Sequence, residues 1–140
     1  MEFKFRNVVL RDMGEADIED EIRWNTVETQ WAQWDAPWES LEALKSFDPA
    51  AHRRTELEQL KKPKPEIRNT LELDTEDGVH IGSVASYFVD QDFNWISKTQ
   101  PGQTRFRALG LDISESRYWG KGLGTQALTA WILYFGEHGE

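Results

Sequence analysis

The sequence contains no cysteine. That excludes a disulfide scaffold, a cysteine-ligated zinc site and a thiol nucleophile carrying an acyl group, and no metal site is expected. Long hydrophobic runs are missing as well: no stretch approaches the roughly 18 apolar residues of a membrane span, and the charged N-terminus is unlike a signal peptide. A cytoplasmic protein with no membrane partner is the expectation. Cationic residues are few, with 16 Lys and Arg against 25 Asp and Glu and a net charge of −9. Nucleic acid is therefore a poor main partner, while the acidity suits either a cationic partner or simple solubility. Internal repeats and low-complexity segments are also lacking.

What is present is a chain of 140 residues, room for one domain that buries about two-thirds of its unfolded surface. A hydrophobic content of 39% and an aromatic content of 12% mark a globular chain, and seven tryptophans suffice for a core or a lined pocket.

Phe3, Phe5, Val8, Val9 and Leu10 predict one first strand, followed by a helix from about Glu15 with Ile18, Ile22 and Val27 inward. Trp24, Trp31, Trp34 and Trp38 come next, with Glu28, Asp35 and Glu39 interleaved. Proline at the first helical position, Pro37 and then Pro49 after Asp48, predicts a short helix over 38–46 and a longer one over 49–61. Strands are predicted over 67–73 and 79–89, joined by the turn Asp74-Thr-Glu-Asp-Gly78. A polar loop over 90–103 leads to a fourth strand over 105–113. His80 reads as a packed or surface histidine rather than a catalytic one.

The most informative stretch starts inside that fourth strand. Leu109, Leu111 and Ile113 alternate with Gly110 and Asp112, the period of a strand with one buried face. From Leu123 the period becomes helical, and Leu123, Ala127, Ala130, Trp131 and Tyr134 share a face widened by Leu128, Ile132 and Phe135. So broad an apolar girth predicts a helix buried between layers. Between strand and helix stand Gly120, Gly122 and Gly124, with Lys121 adding a positive charge. The first turn of a helix has main-chain N–H groups without intrahelical partners and the positive end of the macrodipole, so glycines that let an anion approach there point to a phosphate or pyrophosphate. Neither nucleotide loop fits: Gly122, not Ser or Thr, follows Lys121, and Thr125 stands where a dinucleotide fingerprint needs glycine.

The stretch resembles the acyl-CoA corner of the GNAT superfamily of N-acetyltransferases, whose motif is Gln or Arg, two residues, Gly, one residue, then Gly or Ala. It aligns on Trp119-Gly120-Lys121-Gly122-Leu123-Gly124, with Trp119 where the general motif has Gln or Arg. Tyr118-Trp119-Gly120-Lys121-Gly122, with Thr125 after a small residue, is similar to the Rim-type branch, the ribosomal-protein N-terminal acetyltransferases and their relatives. The resemblance implies an α/β (α+β) acyltransferase fold over residues 1–140 as a single domain, with a mixed, mostly antiparallel sheet flanked by helices. It implies acetyl-CoA as cofactor, its pantetheine arm held by main-chain groups of Leu111, Asp112 and Ile113 like an added strand. Its pyrophosphate is held by main-chain N–H groups from Trp119 through Gly120, Lys121, Gly122, Leu123 and Gly124 to Thr125. The segment between the first two helices borders the acceptor site in this family. Trp31, Trp34, Asp35 and Trp38 are accordingly the expected substrate-binding residues, an aromatic wall with carboxylates suited to an ammonium group; the alternative is packing under a loop. With no cysteine to carry the acyl group, transfer is expected to be direct, onto a small-molecule or peptide amine.

Catalytic residues are not assigned. Part of the family has a glutamate base early in the fourth strand, and Ala108 stands at the matching position. Glu72 and Asp112 are the nearby carboxylates, with Glu72 expected to be exposed. Relatives place a tyrosine after a further strand, and here Glu140 ends the sequence. A strand feeding a crossover helix calls for a parallel return strand. The expectation is a C-terminally truncated domain with its last strands missing; a covering second chain, and hence a homodimer, is one alternative, and a dispensable C-terminal segment is another. Two function classes follow: an acetyl-CoA-dependent N-acetyltransferase, or an acyl-CoA-binding module without turnover.

Overall fold

In the computed structural model, which describes residues 1–97 and 101–140, five strands form one sheet in the order β1-β2-β3-β4-β5. The strands are β1 (Glu2–Phe5), β2 (Val8–Arg11), β3 (Thr70–Thr75), β4 (His80–Val89) and β5 (Phe106–Ile113). Every neighbouring pair is antiparallel. Four α-helices accompany them: α1 (Ala16–Thr26), α2 (Pro37–Lys45), α3 (Pro49–Leu60) and α4 (Leu123–Glu137), with short 3-10 turns at Gln30–Gln33 and Ser116–Tyr118. The polar loop expected over 90–103 includes residues 98–100, which lie outside the described residues.

The single strand expected at the N-terminus is a hairpin. Arg6 takes a left-handed φ of 52° between β1 and β2, and the reversal pairs Phe5 with Val8. The alternating pattern runs on both sides of that turn, so the turn itself left no apolar signature.

One face of the sheet is apolar. Val8, Leu10, Leu71, Leu73 and Val84 form a cluster with Leu123, Ala127, Ala130, Trp131, Tyr134 and Phe135 of α4, and Leu109, Leu111 and Ile113 pack against it. Trp131 and Tyr134 are fully buried, each worth about 2–3 kcal/mol of transfer free energy. Their polar ends are satisfied: the Trp131 indole N–H donates to the Ala85 carbonyl at 2.9 Å, and the Tyr134 hydroxyl accepts from the Arg68 main-chain N–H at 2.7 Å. The helix is not buried on all sides, as its girth suggested. Leu128, Ile132 and Leu133 are exposed, because only one layer packs on α4 among the described residues. Val27, expected to face inward, is 77% exposed, since α1 ends at Thr26.

The other face of the sheet is ionic. Arg11 of β2 bridges Asp17 at 2.7 and 2.8 Å and Asp74 at 2.7 and 3.0 Å, which fixes the start of α1 over β2 and β3. Across the strands Arg11 pairs with Glu72, Glu72 with Ser83, and Ser83 with Asp112. Directly opposed residues share a face, so this polar row runs from β2 to β5 beneath α1.

Gly82 sets how closely β4 approaches β5. A Cβ there would sit 1.8 Å from the Asp112 carbonyl oxygen and 2.9 Å from its carbon. Both obstacles are backbone, so a methyl group forces the strands apart. Gly82→Ala is expected to cost about 3 kcal/mol, at the top of the range for overpacked sites, measured by urea unfolding; unchanged stability would contradict this packing.

Candidate active site

β5 is a terminal strand of the sheet, bonded to β4 alone among the described residues. The Ser114 N–H donates to the Ile81 carbonyl at 2.8 Å. Alternation from that point along the continuous register aims the main-chain groups of Asp112 at β4 and those of Leu109, Leu111 and Ile113 outward. Of the residues expected to line an added strand, Leu111 and Ile113 therefore present backbone to it, whereas the Asp112 backbone is committed to β4 and its side chain stands on the face it shares with Ser83. The Ile113 carbonyl already accepts the Trp119 indole N–H at 2.7 Å, leaving the Ile113 N–H and both groups of Leu111 and Leu109 for an incoming chain.

The corner that follows is held from α1. Glu115 is buried; its carboxylate takes the Arg23 guanidinium and, at 2.9 Å, the Trp24 indole N–H. This anchors the 3-10 turn Ser116–Tyr118 and delivers Gly120 and Gly122 to the start of α4. Both adopt left-handed φ, 74° and 77°, and no heavy atom lies within 4 Å of a Cβ built on either. Gly122 caps α4 with no side-chain hydrogen bond, and the first turn of the helix carries no acidic residue. N–H groups, dipole and open space coincide there, so Gly120 to Thr125 fits a pyrophosphate, whereas the Trp119 N–H, expected to join them, is already donated to the Ser116 carbonyl at 3.0 Å.

On the opposite face of β5 a cleft of about 270 Å³ is lined by Trp31, Trp34, Leu111, Asp112, Ile113 and Trp119. The tryptophans from the segment after α1 thus meet the glycine corner at one place. Trp31 is pinned by its indole N–H on the Trp24 carbonyl at 2.7 Å, while Trp34 is 79% exposed. Asp35 reaches the Asp112 side chain by a hydrogen bond. Trp38, in the first turn of α2, is exposed and does not line this cleft.

The cleft continues under α1. A cavity of about 150 Å³ shares Trp31 and Asp112 with it and adds Glu21, Glu72 and Ser83. A larger cavity, about 470 Å³, shares Glu21, Glu72 and Ser83 and extends to Glu56 and Arg68. Size alone would favour that last cavity, but it does not touch β5. The small cleft meets both the open edge and the glycine corner.

Carboxyl groups here are strongly perturbed. Burial, then the like charge of Asp35 and a hydrogen bond to it, pushes Asp112 up to about 7. Burial also raises Glu21 to about 7 against the pull of His52, with Glu72 and Glu56 adding like charge. Glu72, expected to be exposed, is instead buried and accepts from His80 Nε2 at 3.0 Å, with Asp20 on His80 Nδ1 at 2.8 Å. Of the two readings, packed or surface, His80 is packed, and burial, which lowers its pKa, is outweighed by Glu72, Asp20 and Asp17, which raise it to about 9. Nothing in the linear sequence announces this network, because His80 and Asp20 lie 60 residues apart.

The profile of the family described as acetyltransferase (GNAT) domain matches residues 7–139. The chain belongs to the GNAT acetyltransferase family. Its five antiparallel strands and four flanking helices are consistent with the GNAT fold. GNAT domains bind acetyl-CoA, and the glycine corner and open β5 edge are the features of this chain that suit it. No curated protein matches the sequence. Among the described residues no helix is long and apolar enough to cross a membrane.

Protonated His80 stabilises the GNAT domain. Its folded pKa of about 9 lies above the ordinary imidazole value of about 6.5. The contribution is thus complete below about pH 6.5 and disappears as pH rises toward 9, on the order of 2 to 3 kcal/mol. Urea unfolding of wild type and His80→Gln from pH 6 to 9.5 should give a stability difference that shrinks by that amount with rising pH. A difference independent of pH would contradict the protonated network.

Proposed function

We propose that this GNAT domain is an acetyl-CoA-dependent N-acetyltransferase of the Rim-type branch, acting directly on a primary amine of a small molecule or peptide. The observation that carries the proposal is the coincidence of three features at one strand end: outward main-chain groups on β5, left-handed glycines at the start of α4, and a tryptophan cleft. Acetyl-CoA supplies the activated thioester. The chain's residues supply the rest. Leu111 N–H and C=O and the Ile113 N–H extend the sheet by one strand, orienting the pantetheine amides. N–H groups from Gly120 to Thr125 meet the pyrophosphate, and Lys121 adds a cation beside it. Trp31, Trp34 and Trp119 wall the cleft where an ammonium group meets aromatic faces and the Asp35 and Asp112 carboxyls. Bringing acyl group and amine together in this way removes the entropy of a bimolecular encounter.

With no cysteine in the sequence a cysteine thioester cannot carry the acyl group, and the reading takes the amine itself as the attacking group. A thiol-release assay over a panel of amines distinguishes this reading from an acyl-CoA-binding module without turnover. Release with any amine supports transfer; tight binding with no release supports the module.

Thr125 is exposed in the first turn of α4. A carboxylate there suits the helix dipole but repels a pyrophosphate. Thr125→Asp should therefore leave the melting temperature unchanged or slightly raised while weakening acetyl-CoA binding at least tenfold by calorimetry. Unchanged affinity would contradict the pyrophosphate site.

A further inference from the structure

Asp112 occupies an unusual position in the cleft. Its main chain is committed to β4, so by alternation its side chain faces away from α4, on the same face as Ser83 and Glu72. It lines both the tryptophan cleft and the cavity under α1, and is one of two residues, with Trp31, common to them. Its immediate neighbours Leu111 and Ile113 are the residues whose backbone faces the open edge. A carboxylate at this point stands between the strand-like seat for the acyl donor and the aromatic cleft. Ala108, four residues earlier on the same face, carries no titratable group.

We infer that Asp112 is the catalytic base of the acetyl transfer, and that Asp35 is a positioning residue that sets its basicity and passes its proton to solvent. The inference rests on the acetyl-CoA reading given above. An amine enters the cleft as an ammonium ion. The Asp112 carboxylate takes one proton, an N–H bond breaking as an O–H bond forms, and the nitrogen keeps the electron pair. That pair forms the new N–C bond at the thioester carbonyl as the C–S bond breaks, and the second proton goes from nitrogen to the departing sulfur. The products are the amide, the free thiol and one proton held on Asp112. Asp35 is exposed at the rim, so its hydrogen bond to Asp112 offers that proton a way to water.

The charged surroundings support this assignment. Among the described residues, the other titratable groups facing Asp112 are Asp35 from the segment before α2, Glu21 from α1 and Glu72 from β3. Glu72 is tied to His80, and Glu21 to His52 at 2.6 Å. Among the described residues no cation lines either cavity beside Asp112. Burial and the like charge of Asp35 hold its carboxyl near 7, where a base is effective at neutral pH and still strong enough to take a proton. Among the described residues Asp112 is thus a carboxyl of the cleft with no cation lining the space beside it.

The test combines three measurements on wild type, Asp112→Asn and Asp35→Asn. Acetyl-CoA binding should stay within about twofold for both variants, because neither side chain lies at the pyrophosphate corner. Asp112→Asn should lower kcat at least 100-fold, the usual contribution of a general base. For wild type, kcat/KM should rise with pH through about 7 and then level, and Asp35→Asn should move that rise to lower pH by removing the like charge. Carbon-13 NMR titration of the Asp112 carboxyl should show the same downward move without any turnover. A kcat for Asp112→Asn within a few-fold of wild type would overturn the inference, as would an Asp112 titration unchanged by Asp35→Asn. Acetyl-CoA binding without thiol release in the wild type would also overturn it, yet leave the acyl-donor site standing; failure to bind acetyl-CoA would remove that site itself.

Discussion

Main-chain N–H and C=O groups of a strand must find partners when they leave water, and in β5 half of them face away from β4. The groups of Leu109, Leu111 and Ile113 point outward, and the Trp119 indole satisfies the Ile113 carbonyl alone. Everything around the site follows from that half-paired strand. An exposed edge is a liability unless something covers it, and a ligand with amides spaced like a peptide covers it by the hydrogen bonds that a neighbouring strand makes. The strand's position is tight because Gly82 lets the Asp112 carbonyl lie against β4 with no room for a methyl group. The open edge of β5 is thus held in register from its paired side.

The two faces of the sheet divide the work. α4 covers one with a dry core in which Trp131 and Tyr134 have their polar ends bonded. Over the other, α1 is held by charges: Arg11 between Asp17 and Asp74, His80 between Glu72 and Asp20, Arg23 on Glu115. Buried ion pairs contribute little net stability relative to apolar packing, but breaking one leaves an uncompensated charge at a cost of about 3–5 kcal/mol. Such a layer fixes geometry and leaves polar cavities between α1 and the sheet. Asp112 and Asp35 lie at the end of it, where the salt bridges stop and carboxyls repel one another.

The strand, glycines and helix from Leu109 onward were legible because each local signal agreed: alternation, then glycines at the helix entry, then a helical period. The proline starts of α2 and α3 were legible for the same reason, with Asp48 accepting from the Ala50 and Ala51 N–H groups. The N-terminal hairpin was not, because Arg6 and Asn7 are not the usual glycine-bearing turn and a left-handed arginine has no sequence signature. The tryptophan segment pointed to the cleft through composition, yet only Trp31 and Trp34 line it; Trp38 begins the next helix and faces water. The Asp112 carboxyl was legible only as one of two carboxylates, with Glu72, near the position where a base was missing. Its proximity to Asp35 comes from folding the segment after α1 back over β5, a tertiary contact that no local pattern encodes.

The account depends on the outer edge of β5 and the first turn of α4 acting together as the seat of one ligand. Amide hydrogen exchange with and without acetyl-CoA tests this directly, residue by residue. The predicted result is slowed exchange at the N–H groups of Leu111, Ile113, Leu123, Gly124 and Thr125, with Asp112 N–H, already bonded to β4, unchanged. Slowed exchange confined to other regions, such as the opposite sheet edge at β1, with Leu111 and Ile113 unaffected, would contradict it.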